Sequence, residues 1–292
     1  MNKKMLREFA ASVGISEIGV SRAEIFEELY VILSEQRSRF GVCPFEETSL
    51  DLRCNPMKAL DGVKSIITCL FPYYSKKIHP ENLSRYACIK DYHHVTEEKL
   101  HALAEYISRE NNDKCIYFTD TGPLCDRYLA YRAGLGFYGK NHMLIHERFG
   151  SYFFIGSVLT TAEFEPDEPL DRTCLQCGKC IAACPGGALS EEGFDYMRCI
   201  SYLTQAKELT DEQERLLSTQ KTVFGCDVCQ KVCPHNQELA ENIMPEFTEE
   251  ILERIPENVL SMSNREFQKK YRSFPFSWRG RKTIARNLAK KT

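Results

Sequence analysis

Eight of the fourteen cysteines in this sequence of 292 residues lie between residues 174 and 233, and their spacing is typical of metal ligands. The stretch CLQCGKCIAACP, residues 174–185, has the pattern C-x2-C-x2-C-x3-C-P of bacterial ferredoxins. Three thiolates on such a loop bind three irons of one 4Fe–4S cube, whereas the fourth cysteine faces a second cube. The stretch CDVCQKVCP, residues 226–234, carries three more cysteines, and Cys199 supplies the eighth. The pattern therefore predicts two 4Fe–4S clusters.

The ligands of the two clusters are expected to cross between the two motifs. One cluster would be bound by Cys174, Cys177, Cys180 and Cys233. The other would be bound by Cys184, Cys199, Cys226 and Cys229. Zinc is the alternative, but a zinc site usually takes four ligands as two separate pairs, and eight thiolates complete two cubes. The remaining cysteines are expected to be plain buried thiols: Cys43, Cys54, Cys69, Cys88, Cys115 and Cys125.

Two neighbouring clusters relay single electrons, so the rest of the chain is expected to contain a group that consumes them. The stretch GLGFYG, residues 134–139, matches the dinucleotide pattern G-x-G-x-x-G. It follows PLCDRYLAYRA, which has the pattern of a helix that begins at Pro123 and ends at Gly134, whereas a dinucleotide loop follows a strand. A nicotinamide site is therefore rejected, and these glycines are expected to let the backbone approach a flat or bulky ligand.

The elements that must position these residues fall into three predicted regions. Residues 1–165 alternate between helical and strand patterns. EEKLHALAEYISREN has helical spacing, whereas SIITCLFPYY, CIYFTD and SYFFIGSVLTT are short, apolar and rich in β-branched or aromatic residues, as strands are. After the linker AEFEPDEPLDR, residues 166–240 form the predicted cluster domain, and residues 241–292 form a mostly helical basic segment. The predicted fold class is α+β or α/β.

Composition is that of a globular protein, with 43% hydrophobic and 27% charged residues and a net charge of −3. No apolar run is long enough to span a bilayer, and the start MNKKMLREFAASVG indicates an amphipathic helix instead of a signal peptide. A cytoplasmic location is therefore expected, where thiols stay reduced.

The last residues of the sequence, 269–292, carry nine Lys or Arg and no acid. The cations of this basic tail include Arg279, Arg281, Lys282 and Arg286. Its aromatic residues are Tyr271, Phe274, Phe276 and Trp278. Two readings stay open from the sequence: the tail binds a nucleic-acid backbone, or it is a solvated final helix.

Several blocks, in their order and spacing, resemble the epoxyqueuosine reductases: YFTDTGPLCDRYLAYRAGLGFYGKNHMLI, GSYFFIGSVLTT, CLQCGKCIAACPGGAL, RCISYLT and GCDVCQKVCPHN. The resemblance covers roughly residues 5–240, and RGRKTIARN near the end also belongs to it. It implies a cobalamin-binding domain like that of the reductive dehalogenases, followed by a ferredoxin-like domain with two 4Fe–4S clusters. It also implies the last step of queuosine biosynthesis, in which an epoxide on a modified tRNA wobble base becomes an alkene with loss of water.

The resemblance implies tRNA, bound through its anticodon stem-loop, as substrate, and an external electron donor such as ferredoxin or flavodoxin. A monomer that does not bind membranes is expected. The sequence stops at Thr292, where the family usually continues into a helical-repeat domain, so a short form is expected; CPGGAL also replaces the commoner Cys-Pro-Thr-x-Ala. The alternatives are a cobalamin-dependent reductase of a small molecule, such as an organohalide, and a non-catalytic electron-transfer protein.

Asp120 in FTDTGP matches the family's proton-donating aspartate and is the predicted catalytic residue. It lies at the end of a predicted strand beside the predicted Pro123 helix, so a helix cap is the alternative role. A helix N-terminus favours the carboxylate, whereas an apolar corrin face favours the acid that proton donation needs. Some enzymes bind the cobalt of cobalamin through the histidine of a D-x-H-x-x-G motif. In DYHHVT, Thr96 replaces the glycine of that motif, so no protein histidine is expected as the lower axial ligand of cobalt. The predicted cobalamin contacts are Arg53, Asp91, Lys140, Gln230, Lys231, Val232 and Cys233.

Overall fold

The computed structural model describes residues 2–290, apart from the side chains of residues 110 and 111. The chain forms two compact units. The first contains the chain up to Pro72 together with His93–Gln176, and the second contains Tyr73–Tyr92 together with the chain from Cys177 onward. This division differs from the predicted borders after residues 165 and 240, because the cluster region and the basic tail share one unit with a segment from much earlier in the chain.

Helices and strands alternate in the first unit. The helices are α1 (Lys3–Ser12), α2 (Glu27–Phe40), α3 (Leu50–Cys54), α4 (Tyr92–Asn111) and α5 (Asp126–Arg132). The strands are β1 (Glu17–Arg22), β2 (Ser65–Pro72), β3 (Cys115–Thr119), β4 (Phe137–Tyr138), β5 (Leu144–Ile145) and β6 (Phe153–Thr160).

The main sheet has the strand order β1-β2-β6-β3, and each neighbouring pair is antiparallel. β2 is buried along its whole length, as its continuous apolar sequence SIITCLFP requires. It pairs with β6 from Ser65 opposite Thr160 to Pro72 opposite Phe153. The three strands predicted from SIITCLFPYY, CIYFTD and SYFFIGSVLTT are therefore confirmed, and they lie side by side in one sheet.

The predicted helices at the start of the chain and in EEKLHALAEYISREN are also confirmed. Helical spacing in α4 places Leu100, Leu103 and Ile107 in the core without exposed surface. Phe9 of α1 stacks on Tyr106 of α4, with 3.9 Å between the ring centroids. The two helices therefore pack against each other through one face of each.

α5 begins at Asp126 instead of the predicted Pro123. The chain leaves β3 through Asp120, and the amide of Thr121 donates to the carbonyl of Thr119 at 2.6 Å across it. A Cβ at Gly122 would lie 2.7 Å from Phe118, so the turn packs tightly against the strand. This turn keeps Pro123 outside the helix. The predicted helix start is therefore wrong, whereas its predicted end before Gly134 agrees with the structure.

The second unit is built from short helices joined by loops. The helices are α6 (Lys179–Ala183), α7 (Ile200–Leu203), α8 (Asp211–Ser218), α9 (Val228–Lys231), α10 (Asn264–Tyr271) and α11 (Gly280–Ala289). A small hairpin is formed by β7 (Leu189–Ser190) and β8 (Gly193–Phe194). Capping boxes that begin at Thr210 and Ser263 fix the starts of α8 and α10.

The basic tail is part of the core of the second unit. Tyr271, Phe274 and Phe276 are buried, and Phe274 stacks on Phe276 with 5.6 Å between the ring centroids. Trp278 is 56% exposed. Three of the four tail aromatics therefore serve packing and not an external surface. The end of the tail, residues 291 and 292, lies outside the described residues.

Candidate active site and cluster-binding centre

The first cysteine motif is an irregular loop that leads into the short helix α6. Gln176 and Gly178 have left-handed φ values of 53° and 67° in this loop. The amide of Gln176 donates to Sγ of Cys174 at 3.3 Å. Amide donors aimed at sulfur are among the groups that tune cluster potentials. This local geometry suits a ligand loop.

The four cysteines of the second predicted set lie at the ends or starts of short helices. Cys184 ends α6 and accepts a hydrogen bond from the amide of Ala188 at 3.3 Å. Cys199 is the N-cap of α7. Cys226 precedes α9 and Cys229 lies within it, and α9 packs against α6. The packing of short helices thus gathers residues that are far apart in the sequence.

Neighbouring thiols of this set contribute to the raised pKa values of Cys226 and Cys229, as groups of like charge do. Burial raises the pKa of Cys229, and Cys226, Cys199 and Cys184 raise it further. Burial also raises the pKa of Cys226 to about 11, with Cys199 and Cys184 contributing again. Cys184 and Cys199 therefore lie near enough to Cys226 and Cys229 to affect their pKa values, as crossed ligation of one cluster requires.

The chemistry of these donors fits an iron–sulfur cluster. Thiolates are soft ligands that select such clusters or zinc, and metal binding displaces the protons that burial holds on the thiols. Within residues 2–290, no three His, Cys, Asp or Glu side chains converge as ligands of one metal ion. A 4Fe–4S cube binds each thiolate to a different iron, so its four ligands have no need to converge on a single point.

The members of the other predicted set differ in exposure. Cys180 and Cys233 are buried, Cys174 is half-buried and Cys177 is exposed. The amide of Cys233 donates to the carbonyl of Gln230 at 3.2 Å, which places this cysteine directly after the last turn of α9. Of the eight predicted ligands, Cys177 alone has an exposed side chain.

Asp120 occupies a strained turn at the end of β3. Its φ of 58° lies in the left-handed region, which non-glycine residues enter uncommonly. Its carboxylate is 64% exposed and lies 3.8 Å from Nε2 of His93. The residue that caps α5 is Cys125, so the alternative role of Asp120 as a helix cap is wrong. Behind the turn, the hydroxyl of Thr96 donates to that of Thr119 at 3.0 Å, which ties α4 to β3.

A second carboxylate, which the sequence reasoning missed, interacts with Asp120. Burial raises the pKa of Asp126 to about 7, and the carboxylate of Asp120 is the next cause, while Arg53 and Arg127 oppose the shift. The two aspartates begin and end DTGPLCD, and this spacing is the signal that could have drawn attention to the pair. The structure thus places two coupled carboxylates and two guanidinium groups around one turn.

The predicted cobalamin contacts are divided between the two units. Arg53 and Lys140 belong to the first unit, whereas Asp91 and residues 230–233 belong to the second. Arg53 lies 3.7 Å from Glu46, and its Nε is buried without a hydrogen-bond partner among the described residues. A buried donor without a partner is rare in proteins, and it suits a polar group of a bound cofactor.

Seven cysteines in two ferredoxin-type motifs, Cys199 between them and an exposed aspartate on a strained turn define the class of this protein, an iron–sulfur oxidoreductase with two clusters. The family model of the 4Fe-4S double cluster binding domain matches residues 173–236, and that of epoxyqueuosine reductase QueG, DUF1730, matches residues 53–121. The chain is 37% identical over 298 residues to the epoxyqueuosine reductase of Bacillus subtilis strain 168, covering 98% of this chain and 77% of that protein. It is 36% identical over 298 residues to that of Lactococcus garvieae strain Lg2, covering 98% and 85%. The chain belongs to the epoxyqueuosine reductase family.

Solved structures of this family have the same fold. The chain matches an epoxyqueuosine reductase crystallised with a tRNA-Tyr epoxyqueuosine-modified stem loop, with a TM-score of 0.91 and 35% identity, over 99% of this chain and 80% of that one. It matches the Bacillus subtilis enzyme, captured with an aspartate catalytic loop swung out of its active site, with a TM-score of 0.89 and the same identity and coverage.

These comparisons confirm the resemblance, the mixed α and β fold class, and the oxidoreductase activity predicted for the family. They support the predicted cofactors, cobalamin with two 4Fe–4S clusters, and nothing in them favours the two alternative functions. The roles of individual residues and the predicted domain borders stay predictions. None of the helices between residues 2 and 290 is long and apolar enough to cross a membrane.

Proposed function

We propose that this chain reduces epoxyqueuosine to queuosine at the wobble position of a tRNA and binds the anticodon stem-loop. The observation that carries the proposal is the likeness of nearly the whole chain to an epoxyqueuosine reductase solved with an epoxyqueuosine-modified tRNA stem loop. A wobble base in a loop is already unpaired, so protein side chains reach it without opening a duplex. The reaction consumes two electrons and two protons, breaks both C–O bonds of the epoxide, and yields an alkene and water.

Cobalamin is the proposed centre of the reduction. When bound, it supplies a strongly reducing cobalt that the clusters restore one electron at a time. The residues proposed to bind it are Arg53, Asp91, Lys140 and residues 230–233. The buried, unpaired Nε of Arg53 supports this assignment, because a bound acceptor would remove the cost of leaving that donor unsatisfied.

The eight cysteines are proposed to bind the clusters in the crossed arrangement. The contributions of Cys184 and Cys199 to the raised pKa values of Cys226 and Cys229 support the assignment of these four to one cluster. The exposed Cys177 supports electron entry at the other cluster, from an external carrier such as ferredoxin or flavodoxin. A cytoplasmic monomer is proposed as the active form, since its tRNA substrate and such carriers meet there.

Asp120 is proposed to donate the proton that the departing oxygen needs. Its exposed carboxylate, on a turn held by the Thr96–Thr119 contact, is positioned by the protein before substrate arrives. Asp126, with a pKa raised to about 7, is half-protonated at neutral pH and serves as a nearby proton store. General acids work best when a proton is available at the operating pH, and the raised pKa of Asp126 keeps a proton available near that pH.

Anaerobic turnover tests this proposal. Protein loaded with cobalamin and both clusters is incubated with a chemical reductant and a stem-loop that carries epoxyqueuosine, and the wobble nucleoside is analysed by mass spectrometry. The expected product lacks one oxygen atom. A parallel reaction contains a small organohalide in place of the stem-loop. Dehalogenation with an unchanged stem-loop would replace the proposal with the small-molecule alternative, and no turnover of either substrate by fully loaded protein would contradict both.

A further inference from the structure

Five consecutive backbone carbonyls in the second unit accept hydrogen bonds from side chains of one later segment. The carbonyls belong to residues 203–207, the last residue of α7 and the turn that follows it. The donors are Arg279, Arg286 and Asn287. Because the last carbonyls of a helix have no partner within the helix, this segment caps α7 from outside.

Arg286 uses all five of its N–H donors. Its Nη1 donates to the carbonyls of Ala206 and Lys207 at 2.8 and 3.0 Å, and its Nη2 donates to that of Leu203 at 3.2 Å. Its Nε and Nη2 also donate to Oδ1 of Asn287 at 3.0 and 2.9 Å. A guanidinium presents its donors in a rigid plane, so a saturated one fixes both the turn and the asparagine.

Asn287 joins two separate segments of the chain. It is completely buried, and its Nδ2 donates to the carbonyls of Thr204 at 2.7 Å and Val223 at 2.9 Å. The same two segments also bond directly, because the amide of Gly225 donates to Oγ1 of Thr204 at 2.9 Å. Arg286, Asn287 and Thr204 therefore hold the end of α7 against the stretch that leads into α9.

Each of these two segments carries a cluster cysteine. Cys199 caps the start of α7, and its carbonyl accepts from the amide of Leu203 at 2.9 Å, so its position follows that of the capped turn. Cys226 comes directly after Gly225, and the φ of Gly225 is 73°. A Cβ at Gly225 would lie 2.0 Å from Oγ of Ser84, which leaves this backbone no freedom to shift toward that side.

We propose that Arg286 and Asn287 are positioning residues for the cluster whose ligands are Cys184, Cys199, Cys226 and Cys229. They hold Cys199 and Cys226 at a fixed separation, although neither side chain is a ligand. This role rests on the ligand set proposed above. It also assigns the end of the RGRKTIARN motif to cluster assembly, in place of the RNA contact that its charge indicates.

Arg281 offers a matched control on the same helix. Its Nη1 donates to the carbonyls of Leu260 and Val259 at 3.1 and 3.4 Å, in a short 3₁₀ turn at Glu257–Leu260 that carries no cysteine. Arg281→Lys and Arg286→Lys therefore make the same chemical change to the same kind of contact. Each keeps the positive charge and loses the planar fork, but only one of them touches a ligand-bearing segment.

The experiment measures anaerobic release of iron to a ferrous chelator from the holoprotein and from Arg286→Lys, Asn287→Ala and Arg281→Lys. The two clusters are expected to release iron in two kinetic phases. Cys199→Ala lacks the cluster under test, so the phase that is missing from this variant belongs to that cluster. Far-ultraviolet circular dichroism at the assay temperature checks that each variant is folded. If Asn287→Ala does not fold, the milder Arg286→Lys carries the test.

Arg286→Lys and Asn287→Ala are expected to accelerate one phase by about 10–100-fold, the effect typical of residues that orient metal ligands. That phase should be the one missing from Cys199→Ala, while the other phase and both phases of Arg281→Lys stay as in the wild type. Equal acceleration of both phases would show a merely structural role and overturn the proposal, as would no acceleration or acceleration of the wrong phase. A wild-type protein with a single phase and about four irons would instead refute the ligand set itself.

Discussion

At the scale of single residues, Asp120 is held in a backbone conformation that its side chain does not favour. A left-handed φ in a non-glycine residue costs about 1–3 kcal/mol, and such strain persists where surrounding structure enforces it, often at functional sites. Here the Thr96–Thr119 hydrogen bond and the close packing of Gly122 on Phe118 enforce the turn. The strain presents a carboxylate at the end of a rigid strand, where a general acid is useful.

Replacing Asp120 tests this role. Asp120→Asn keeps the size and the turn but removes the acidic proton, so turnover should fall by about 10²–10⁴-fold, the usual contribution of a general acid. Asp120→Ala should be equally inactive, and both variants should retain their iron content and cobalamin absorbance. Asp61→Asn, the same change at an exposed site, serves as the control. An Asn variant with near wild-type turnover would remove Asp120 from the mechanism.

Asp126 makes a prediction about pH and stability. Its pKa is raised from 3.8 to about 7 by burial and by Asp120, so the folded protein binds more protons than the unfolded chain between these values. Stability is therefore lost as the pH rises toward 7. Asp126→Asn does not ionise, so its advantage in melting temperature over the wild type should grow from about pH 4, near the unfolded pKa, and level off above about pH 7, the folded pKa.

The melting curves of Asp126→Asn and the wild type are compared anaerobically across this range, with Asp61→Asn as the control. A difference in melting temperature that stays constant with pH would show that Asp126 is already ionised in the folded protein. It would also remove Asp126 as a proton store.

The cluster ligands and Asp120 could be proposed from the sequence because their signal is local, and their roles stay predictions. Thiol identity, spacing and a closing proline specify a cluster loop, and DTGP follows a recognisable strand. Asp126 could not be predicted, since the burial that raises its pKa comes from residues elsewhere in the chain, and Asp120 adds to the shift only because the turn brings the two carboxylates together.

At the scale of elements, the apolar runs of β2 and β6 specified strands, because a central strand is covered on both faces. The edge strand β3 was specified by its short run of β-branched and aromatic residues. The start of α5 was misplaced, since proline at a first helical position and proline in a preceding turn look alike in sequence. The strained turn at Asp120 determines that Pro123 lies before the helix and not in its first turn. The packing of the tail was also hidden, because helical spacing shows that a face is apolar but not what covers it.

Alanine substitutions at two glycines near predicted cluster cysteines distinguish the cost of backbone strain from the cost of steric overlap. Gly178 and Gly225 both have left-handed φ values, so alanine costs about 1–2 kcal/mol at either position. A Cβ at Gly178 meets nothing within 4 Å, whereas one at Gly225 would lie 2.6 Å from Cβ of Ser84. Gly225→Ala should therefore cost about 1–3 kcal/mol more, as overpacking does.

Anaerobic melting temperatures of Gly178→Ala and Gly225→Ala check this difference. Gly225→Ala should melt clearly below Gly178→Ala, which itself should melt slightly below the wild type. Equal melting temperatures would mean that the Gly225 loop relaxes away from Ser84, and the rigidity attributed to the segment before Cys226 would be contradicted.

At the scale of the whole molecule, the segment Tyr73–Tyr92 joins the unit that contains seven of the eight predicted cluster cysteines, all except Cys174. No composition shift marks this crossing, because its contacts are backbone pairings such as the amide of Ser84 with the carbonyl of Phe224 at 2.9 Å. Such pairings depend on the path of the chain and not on residue type. The predicted linear division therefore missed it, although the class of fold was predicted correctly.

Some cations of the basic tail bond to the backbone, whereas others are exposed on the surface. Arg279, Arg281 and Arg286 donate to backbone carbonyls, whereas Lys269, Lys270, Arg272 and Lys282 are exposed. If the tail contacts tRNA, the exposed group should carry the contact. Each phosphate that a cation neutralises adds about 0.7–0.9 to the slope of log affinity against log salt. Replacing the four exposed cations by alanine should flatten that slope and leave the cluster spectrum unchanged.

Titration of an anticodon stem-loop at several salt concentrations measures these slopes. Replacing the acidic side chains Glu191 and Glu192, which are exposed in the same unit, by alanine provides a control that should not flatten the slope. An unaltered slope in the fourfold cation variant would leave tRNA binding to other surfaces of the protein.

The central claim is that eight cysteines of one chain bind two 4Fe–4S clusters in a crossed arrangement. Anaerobic iron and zinc analysis of the wild type, together with Cys199→Ala and Cys180→Ala, tests it most directly. The wild type should contain about eight irons, and each variant should lose about four while keeping a different cluster, visible as two distinct electron paramagnetic resonance spectra that together reproduce that of the wild type. Four or fewer irons in the wild type, stoichiometric zinc, or the same remaining spectrum in both variants would contradict the account.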